Sequence, residues 1–326
     1  MPEVICFGEA LIDFHAQGPL EAGAPARFVQ YAGGAPANVA VAVARLGGDA
    51  AYIGMLGRDM FADFLLQSFS DAGVDTRYIA RTAAANTGLA FVSLDADGER
   101  RFSFYRPPAA DLLFRPEHFD ETCLASASVF HACSNSLTEV EIAGATLDGM
   151  RRARDAGALI SFDLNWRPAL WPQNVDPLPR IWSALAEAEL VKLCGAELAF
   201  LAEPLGSEQA VLDRLWEGRT ALMMITDGAQ PIRYFTRDGR GSVPTFQTRV
   251  VNTNAAGDAF IGGFLYCLAK EGVGAADFSV FCATGGLATT IRFAAACGAF
   301  AVTRHGAFTA MPTLNDVQPM LDACHD

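Results

Sequence analysis

Short apolar runs alternate with amphipathic stretches along most of this chain. Residues 4–8 form an apolar run typical of a buried strand, and the helical spacing of apolar positions that follows predicts a helix over residues 37–46, ended by Gly47 and Gly48. Because strands and helices alternate, we predict a Rossmann-like, three-layer α/β/α fold with a central, mostly parallel sheet. The other elements behind this prediction are strands at 50–54, 159–162 and 190–193, a helix at 140–156 and a helix beginning near Glu197.

Two segments, at about 12–32 and 87–114, show a period of two instead. In the second, an alternating run at 87–94 precedes a polar turn at 95–98 and another alternating run at 101–105, which together predict a β-hairpin. We expect these insertions to form a small β-sheet lid over the carboxyl edge of the parallel strands, where open α/β sheets bind ligands. No linker or repeat divides the chain, so residues 1–326 are predicted to form a single domain.

Composition and charge argue against several classes of protein. The chain is 51% hydrophobic and 19% charged, as expected of a globular protein. Its net charge of −13, without any basic stripe, argues against a nucleic-acid partner. The N-terminus lacks the positive region of a secretory signal, and the longest uncharged run, 278–291, is shorter than the roughly 18 residues that a membrane helix needs. We therefore expect a cytoplasmic protein with no membrane partner.

Cysteine and histidine are spaced unlike metal ligands. The eight cysteines form no CxxC pair and lie mostly in apolar segments, so we interpret them as reduced core residues. The five histidines form no cluster with metal-ligand spacing. The sequence therefore implies no catalytic metal held by nitrogen or sulfur.

A run of small residues, 253–257, precedes Asp258 and a long apolar stretch at 259–269. This pattern predicts a tight turn that opens a buried helix, whose first backbone N–H groups and positive dipole end attract anions. Asp258 there could accept a proton from an attacking hydroxyl while the amides stabilise a transferred phosphoryl group. Taken alone, the pattern fits equally well a carboxylate that merely stabilises a first helical turn.

A second segment, residues 32–40, contains Gly33, Gly34 and Asn38. Paired glycines allow the backbone to approach a ligand closely, and an asparagine side chain both donates and accepts hydrogen bonds, as sugar hydroxyls require. Alone, this segment is also compatible with an ordinary turn before a helix.

Together, in this order and spacing, the two segments resemble the signatures of the ribokinase-like (PfkB) carbohydrate kinases, a GG-x-x-x-N segment and a D-T-x-[GA]-A-G-D segment. The segments GEALIDF, GMLGRDMFAD and AACGAFAVTRHGAFTAMP match the family pattern in order, so the resemblance covers essentially the whole chain. The resemblance implies a ribokinase-like fold and an enzyme that transfers the γ-phosphoryl group of ATP to a sugar hydroxyl, with ATP and Mg²⁺ as cofactors.

The resemblance also implies a role for individual residues. Asp258 would be the catalytic base, and Glu197 would organise Mg²⁺ through water, which a single carboxylate can do because Mg²⁺ keeps much of its hydration. Taken on its own, Glu197 is more typical of a helix cap. The remaining implied positions are an anion hole at Ala255, Ala256 and Gly257, sugar contacts at Asp13, Gly33, Gly34 and Asn38, and nucleotide contacts at Lys192, Thr226 and Gly228.

Two further segments favour a ketohexose, above all fructose, as the acceptor. Residues 101–111 resemble the lid segment of fructokinases, from which Arg106 would reach over the sugar. Asp163, Asn165 and Arg167 match a D-x-N-x-R pattern of the same enzymes, and carboxylate and guanidinium groups suit a polyhydroxylated ligand. The alternative is that Arg106, Asp163 and Arg167 form structural ion pairs. Aminoimidazole riboside, another nucleoside or 2-keto-3-deoxygluconate is the alternative acceptor.

The chain departs from the family pattern at a few positions. Asn252 replaces the aspartate that usually begins the second signature, and Asn254 stands where a smaller residue is common. An amide at 252 lacks the charge that helps to hold a monovalent cation, which argues against K⁺ activation. Cys194 and Pro231 also differ from the usual residues, so we expect a slightly reshaped nucleotide pocket. Because of Asn252 and Cys194, we consider a catalytically weakened sugar-binding homologue as a further hypothesis. Lid edges commonly pair across a two-fold axis, so we expect a homodimer.

Overall fold

The computed structural model describes residues 3–18, 27–94 and 100–323, in which strands and helices alternate as predicted. The strands are β1 (Val4–Phe7), β2 (Leu11–Ala16), β3 (Phe28–Gly33), β4 (Ala50–Gly57), β5 (Ile79–Thr82), β6 (Leu89–Leu94), β7 (Arg100–Tyr105), β8 (Val129–Cys133), β9 (Leu159–Asp163), β10 (Leu190–Cys194), β11 (Leu222–Thr226), β12 (Ile232–Thr236) and β13 (Arg240–Val243). The helices are α1 (Ala35–Arg45), α2 (Met60–Ala72), α3 (Glu121–Leu124), α4 (Val140–Asp155), α5 (Leu178–Glu187), α6 (Gly195–Ala202), α7 (Glu208–Glu217), α8 (Ala256–Lys270), α9 (Ala275–Ala283), α10 (Gly286–Ala301) and α11 (Leu314–Asp322).

The large sheet is mostly parallel, as the sequence predicted. Among the described residues its strand order is β13-β12-β11-β10-β9-β8-β1-β4-β5. Every neighbouring pair from β11 to β5 is parallel, whereas β12 and β13 add an antiparallel edge. The carboxyl ends of the parallel strands therefore meet along one edge of the sheet.

Helices cover both faces of this sheet. Successive side chains of a strand point to opposite faces, and in β1 Val4 and Cys6 pack into one apolar core whereas Ile5 and Phe7 pack into another. The first core includes residues of α1, α2, α8, α9, α10 and α11, and the second includes residues of α3, α4, α5, α6 and α7. The three-layer α/β/α prediction is confirmed.

A second, smaller sheet joins the two predicted insertions in the order β3-β2-β6-β7. Strand β2 pairs antiparallel with β3 and parallel with β6, and β6 pairs antiparallel with β7. The predicted hairpin is therefore present as β6 and β7. The turn predicted at 95–98, residues 19–26 of the first insertion and Cys324 lie outside the described residues.

The second sheet ends earlier than the predicted insertion. Strand β7 stops at Tyr105, and the segment that follows packs into the core through Ala110, Leu112 and Phe114. At its start, Arg106 is completely buried; it is bonded to Asp111 within the segment and donates to the carbonyl oxygen of Asn135, which fixes this segment to the main body. Residues 106–114 therefore do not continue the small sheet.

Two further properties of the described residues bear on the composition argument. No single helix is both long enough and apolar enough to cross a membrane, and α9 and α10, which pass that test only as a pair, meet at 99°. The seven described cysteines are free thiols, five of them buried.

Candidate active site

A cavity of about 750 Å³ opens at the carboxyl edge of the large sheet. Residues at or just beyond the ends of β1, β9, β10 and β11 line it, together with residues of the small sheet and the start of α8. From β1 to β11 the edge crosses four strand spacings, or about 19 Å at about 4.8 Å per spacing. The cavity is therefore long enough for two ligands placed end to end.

Asp258 lies in the first turn of α8 and is buried against this cavity. Asn38 Nδ2 donates to its Oδ2 at 2.7 Å, and Asn165 Nδ2 donates to its Oδ1 at 3.2 Å. The Oδ1 atoms of both asparagines are buried without a hydrogen-bond partner among the described residues. Two amides thus orient the carboxylate and keep unused acceptors beside it, as expected where a ligand hydroxyl binds.

The turn before Asp258, predicted to form an anion hole, brings the start of α8 to the cavity wall. Ala255 caps α8 in the left-handed region, with φ of 59°, and Ala255, Ala256 and Gly257 all line the cavity half-buried. The first N–H groups of a helix have no partner within the helix, so an anion at this helix start can accept their hydrogen bonds. A Cβ on Gly257 would lie 2.7 Å from Lys192 Nζ, so the turn also packs closely on a buried cation.

Close helix packing fixes the position of this turn. A Cβ on Gly262 would lie 2.5 Å from Ala42 Cβ in α1, and a Cβ on Gly263 would lie 2.7 Å from Cys297 Sγ in α10. These glycines allow α8 to lie tightly between two neighbouring helices. The apolar stretch that suggested a buried helix therefore also sets where Asp258 points.

The small sheet contributes Leu11, Asp13 and Phe104 to the cavity lining. Gly33 faces Asp13 so closely that a Cβ there would lie 2.2 Å from Asp13 Oδ2. Gly34 adopts φ of 110°, which favours glycine, and lines the cavity where β3 passes into α1. A side chain would therefore be poorly tolerated at either position of the glycine pair, although only Gly34 lines the cavity.

Two carboxyl groups at the site hold their protons more tightly than usual. Burial raises the pKa of Asp258 to about 7, and the charge of Asp163 adds to this rise, whereas the Asn38 hydrogen bond and the charges of Lys192 and Arg167 lower it. Burial likewise raises the pKa of Asp13 to about 7, helped by the charges of Asp258 and Glu9. A carboxyl group with a pKa near 7 is well suited to accept and return a proton at neutral pH.

Asp163 and Lys192 form a buried ion pair beneath the site. Lys192 Nζ donates to Asp163 Oδ2 at 2.8 Å, and the backbone N–H of Asn165 donates to Asp163 Oδ1 at 3.2 Å. Lys192 lines the cavity, whereas Asp163 does not, although both were predicted to contact ligands. Asn165 and Arg167 do line it.

Arg106 is placed differently from the prediction that it reaches over the sugar. Its guanidinium donates to Asp111 Oδ2 at 2.5 and 2.8 Å and to the carbonyl oxygen of Asn135 at 2.7 Å, and the side chain is only 1% exposed. It does not line the cavity. The structural ion pair, considered as the alternative from the sequence, describes Arg106.

Two buried polar residues of the lining, Glu9 and Asn135, were missed from the sequence. Glu9 Oε1 accepts from the backbone N–H of Ala35 at 3.1 Å and from Asn135 Nδ2 at 2.9 Å, and both Glu9 and Asn135 are buried in the cavity wall. Each follows a parallel strand, β1 or β8, within two residues of its end. Polar residues directly after apolar strands were the signal that could have identified them.

The end of the cavity beside β11 contains the other predicted nucleotide contacts, Thr226 and Gly228. Thr226 at the end of β11 and Gly228 line it together with half-buried Phe246. Glu197 also lines it, but its carboxylate caps α6 by accepting from the N–H of Cys194 at 2.6 Å and reaches the N–H of Trp166 at 2.7 Å. Asn252 lies behind the wall, where its Oδ1 accepts from the N–H of Asn254 at 2.8 Å. It is not a lining residue.

The chain is similar to known proteins over nearly its whole length. Fructokinase-1 of Oryza sativa subsp. japonica is 42% identical over 322 residues, which cover 98% of each chain. The crystal structure of fructokinase with bound ATP from Xylella fastidiosa is 55% identical, with a TM-score of 0.95 over 99% of each chain. Aminoimidazole riboside kinase from Salmonella enterica, complexed with aminoimidazole riboside and an ATP analogue, is 30% identical, with a TM-score of 0.81 over 98% of this chain and 99% of that one. Residues 1–314 match the pfkB family carbohydrate kinase model, and the chain therefore belongs to that family.

Proposed function

We propose that this protein is an ATP-dependent fructokinase that phosphorylates a primary hydroxyl group of fructose. The observation that carries the proposal is the position of Asp258, a buried carboxyl group at the start of a helix. It lies in one cavity with Gly34 and Asn38, the residues of the first signature that line the wall. The two fructokinases compared above, 42% and 55% identical over nearly the whole chain, support the same acceptor.

Asp258 acts as the general base. Asn38 and Asn165 fix the orientation of its carboxylate, so that the remaining lone pairs face the cavity and the sugar hydroxyl. The hydroxyl proton passes to Asp258 as the hydroxyl oxygen attacks the γ-phosphorus of ATP, and the bond from that phosphorus to the bridging oxygen of ADP breaks. A pKa near 7 allows Asp258 to release the proton to solvent after product leaves.

The turn at Ala255, Ala256 and Gly257 stabilises the transferred group. Phosphoryl transfer spreads negative charge over the equatorial oxygens, and fixed backbone N–H groups stabilise such charge without reorganising. Lys192, packed against Gly257, adds a positive charge just below the turn. This arrangement supports a donor phosphate bound between a sugar end of the cavity, beside the small sheet, and a nucleotide end, beside β11.

The residues at the nucleotide end fit ATP and magnesium. The first turn of α8 can hold phosphate oxygens, and Glu197, with both carboxylate oxygens already accepting backbone N–H groups, suits a contact to the metal through water. When bound with the nucleotide, Mg²⁺ neutralises phosphate charge. Neutral Asn252, turned to the N–H of Asn254, offers no anionic ligand for K⁺, so we propose that K⁺ activates this enzyme weakly or not at all.

The sugar end suits a polyol rather than a nucleoside. Its polar groups, buried Glu9, Asn38, Asn135 and Asn165 and half-buried Asp13, are rich in acceptor oxygens. Each hydroxyl of a ketohexose can donate to one of them, and an unmatched acceptor would cost binding free energy. The aminoimidazole base of a riboside would have to face the same acceptors.

A coupled assay of ADP formation across a panel of acceptors tests the proposal. Fructose should give the highest kcat/KM, ahead of aminoimidazole riboside and 2-keto-3-deoxygluconate. Strong activity on the riboside with none on fructose would overturn the acceptor assignment. If calorimetry showed binding of fructose and ATP without turnover, the protein would instead be a sugar-binding homologue that has lost catalysis.

We also propose a homodimer formed through the outer face of the small sheet. Phe14 and Phe91 stack on this face at 5.1 Å, with Phe28 and Tyr105 packed edge-on against Phe91 at 5.4 Å. Tyr105 is 67% exposed and Phe28 is 37% exposed, so the face presents an aromatic surface for which a second copy offers a matching partner. Light scattering should give a dimer for the wild type and a monomer for Tyr105→Lys. Val280→Lys, at an exposed apolar residue on α9, is the matched control and should stay dimeric.

We infer a cytoplasmic location from the free thiols and from the use of ATP. Free cysteines persist in reducing compartments. Fractionation of cells expressing the full chain tests this inference, and recovery with membranes or outside the cell would contradict it.

A further inference from the structure

The backbone at Asn165 is unusual for a residue that helps to position a catalytic group. Asn165 has φ of 42°, in the left-handed region that asparagine tolerates better than most residues. Its backbone N–H donates to Asp163 Oδ1, and its side-chain amide donates to Asp258 Oδ1. Through these two hydrogen bonds, Asn165 in the turn after β9 connects Asp163 to the catalytic base.

Asp163 is itself fixed by a buried partner. Its other oxygen accepts from Lys192 Nζ at 2.8 Å, and both side chains are almost fully buried, with 2% and 6% of their surfaces exposed. Although burial favours the neutral amine, the charges of Asp163 and Glu197 hold the pKa of Lys192 above its usual value, so the cation persists. Lys192 also lies against Gly257 in the anion-hole turn.

We propose that the Lys192–Asp163 pair is a positioning element for the catalytic base: it holds Asn165 in the conformation that orients Asp258 and balances the charge around Asp258. This inference rests on the proposed role of Asp258. It assigns to Asp163 a contact with Asn165 instead of one with sugar, and to Lys192 a role through charge and packing instead of a nucleotide contact.

The two members of the pair act on Asp258 in opposite directions. The negative charge of Asp163 raises the pKa of Asp258, and the positive charge of Lys192 lowers it. The hydrogen bond from Asn165 stabilises the ionised carboxylate and so also lowers its pKa. The other charged or titratable groups around Asp258 and its neighbour Asp13 are Glu9, Cys133 and Arg167.

The test is the titration of Asp258, followed by carboxyl-carbon NMR in ligand-free protein labelled at aspartate and assigned by comparison with Asp258→Asn. Asp163→Asn keeps an acceptor for the Asn165 N–H but removes the charge, so the pKa of Asp258 should fall by about one unit. The acidic limb of kcat/KM against pH should move with it. The double variant Lys192→Met with Asp163→Asn removes both charges, and the pKa should return toward the wild-type value.

Asn165→Gly tests the other half of the proposal without touching the buried pair. Glycine accepts the left-handed backbone but removes the amide, so the pKa of Asp258 should rise and kcat should fall by about tenfold. This variant decides the matter even if Asp163→Asn is too unstable to titrate. Asp111→Asn is the matched control: it removes one charge of an equally buried ion pair, Arg106–Asp111, and should leave the titration of Asp258 unchanged.

Two results would overturn the proposal. If Asp258 titrates in Asp163→Asn and in Asn165→Gly as it does in the wild type, the pair is only structural. A shift of equal size in Asp111→Asn would mean that any loss of a buried charge alters the site. The titration needs no turnover, so a wild type that fails to phosphorylate fructose would refute the proposed function and leave this test intact.

Discussion

The two ends of the cavity are built differently. The sugar end is walled by buried polar side chains bonded to one another, as Asn38 and Asn165 are to Asp258 and as Asn135 is to Glu9. At the nucleotide end, β11 and the segments that follow it contribute mostly small or apolar side chains, several of them half-buried, together with exposed Gln247. Hydrogen-bonded acceptors discriminate between ligands more strongly than apolar contacts do. Acceptor specificity and the rate of phosphoryl transfer should therefore depend on a few residues at the sugar end. The affinity for ATP should depend on small contributions from many residues at the nucleotide end.

The largest effect should follow from Asp258→Asn, which removes the base and leaves the shape. We expect kcat to fall by about 10²–10⁴-fold, the usual contribution of a general base, with fructose affinity changed only a few-fold. The structure can accept the new amide because Asn38 and Asn165 each have an unpaired Oδ1 to turn toward it. Steady-state kinetics and calorimetry measure the two quantities, with exposed Asp213→Asn on α7 as control. An unchanged kcat would remove Asp258 from the mechanism.

Asp13→Asn tests whether the ends of the cavity act separately. Loss of the charged acceptor that we propose for a sugar hydroxyl costs about 1.5–3 kcal/mol, so KM for fructose measured above pH 7, where Asp13 is ionised, should rise about 10- to 100-fold. KM for ATP should stay within twofold of the wild-type value, because β2 lies at the sugar end. Initial rates with each substrate varied in turn provide the measurement. An equal rise in both constants would mean that the ends are coupled through the small sheet.

The sequence predicted the parts of this site that depend on local pattern. Asp258 and Asn38 lie in short segments whose small residues and helix starts are visible from the chain alone, and the strands follow from apolar runs. Glu9 and Asn135 could not be paired in that way, because their contact depends on β1 and β8 being neighbours in the sheet. Arg106 was misplaced for a similar reason: its bond to the carbonyl oxygen of Asn135 forms only after residues 106–114 pack into the core.

The carboxyl groups of Asp13 and Asp258 at the sugar end should also make the free energy of unfolding depend on pH. The pKa of Asp13 and that of Asp258 are both raised from 3.8 to about 7, so the folded protein binds more protons than the unfolded chain between these values. The stabilising contribution of the protonated groups is complete below pH 4 and is lost as the pH rises to about 7. The unfolding free energy of Asp13→Asn relative to that of the wild type should therefore rise by about 1–3 kcal/mol from pH 4 to pH 8.

Urea unfolding of ligand-free protein at several pH values measures this difference. Asp213→Asn serves again as the exposed control, and its difference from the wild type should not change with pH. If the stability difference between Asp13→Asn and the wild type were also constant with pH, the raised pKa of Asp13 would be wrong.

Phe246→Ala tests whether ATP binding at the nucleotide end depends on many small contributions. Phe246 is half-buried and is one of many residues at this end. Removal of its ring should weaken the binding free energy of ATP by about 1 kcal/mol, which corresponds to a rise of about fivefold in KM for ATP. KM for fructose and kcat should be nearly unchanged. Phe293→Ala, at a half-buried phenylalanine that packs on Tyr266 outside the cavity lining, is the matched control. A larger loss in kcat than in ATP affinity would show that this end also positions the reacting groups.

The smallest effect should come from Asn252→Asp, behind the wall between the two ends. Aspartate keeps an acceptor for the N–H of Asn254 and adds the negative charge that would hold a monovalent cation. We expect K⁺ to raise kcat of this variant about two- to fivefold over a bulky cation at equal ionic strength, with little effect on the wild type. Asn252→Ala, which loses the acceptor without adding charge, should remain insensitive to K⁺. Strong K⁺ activation of the wild type would instead mean that backbone carbonyl groups near Asn252 bind the cation without a carboxylate.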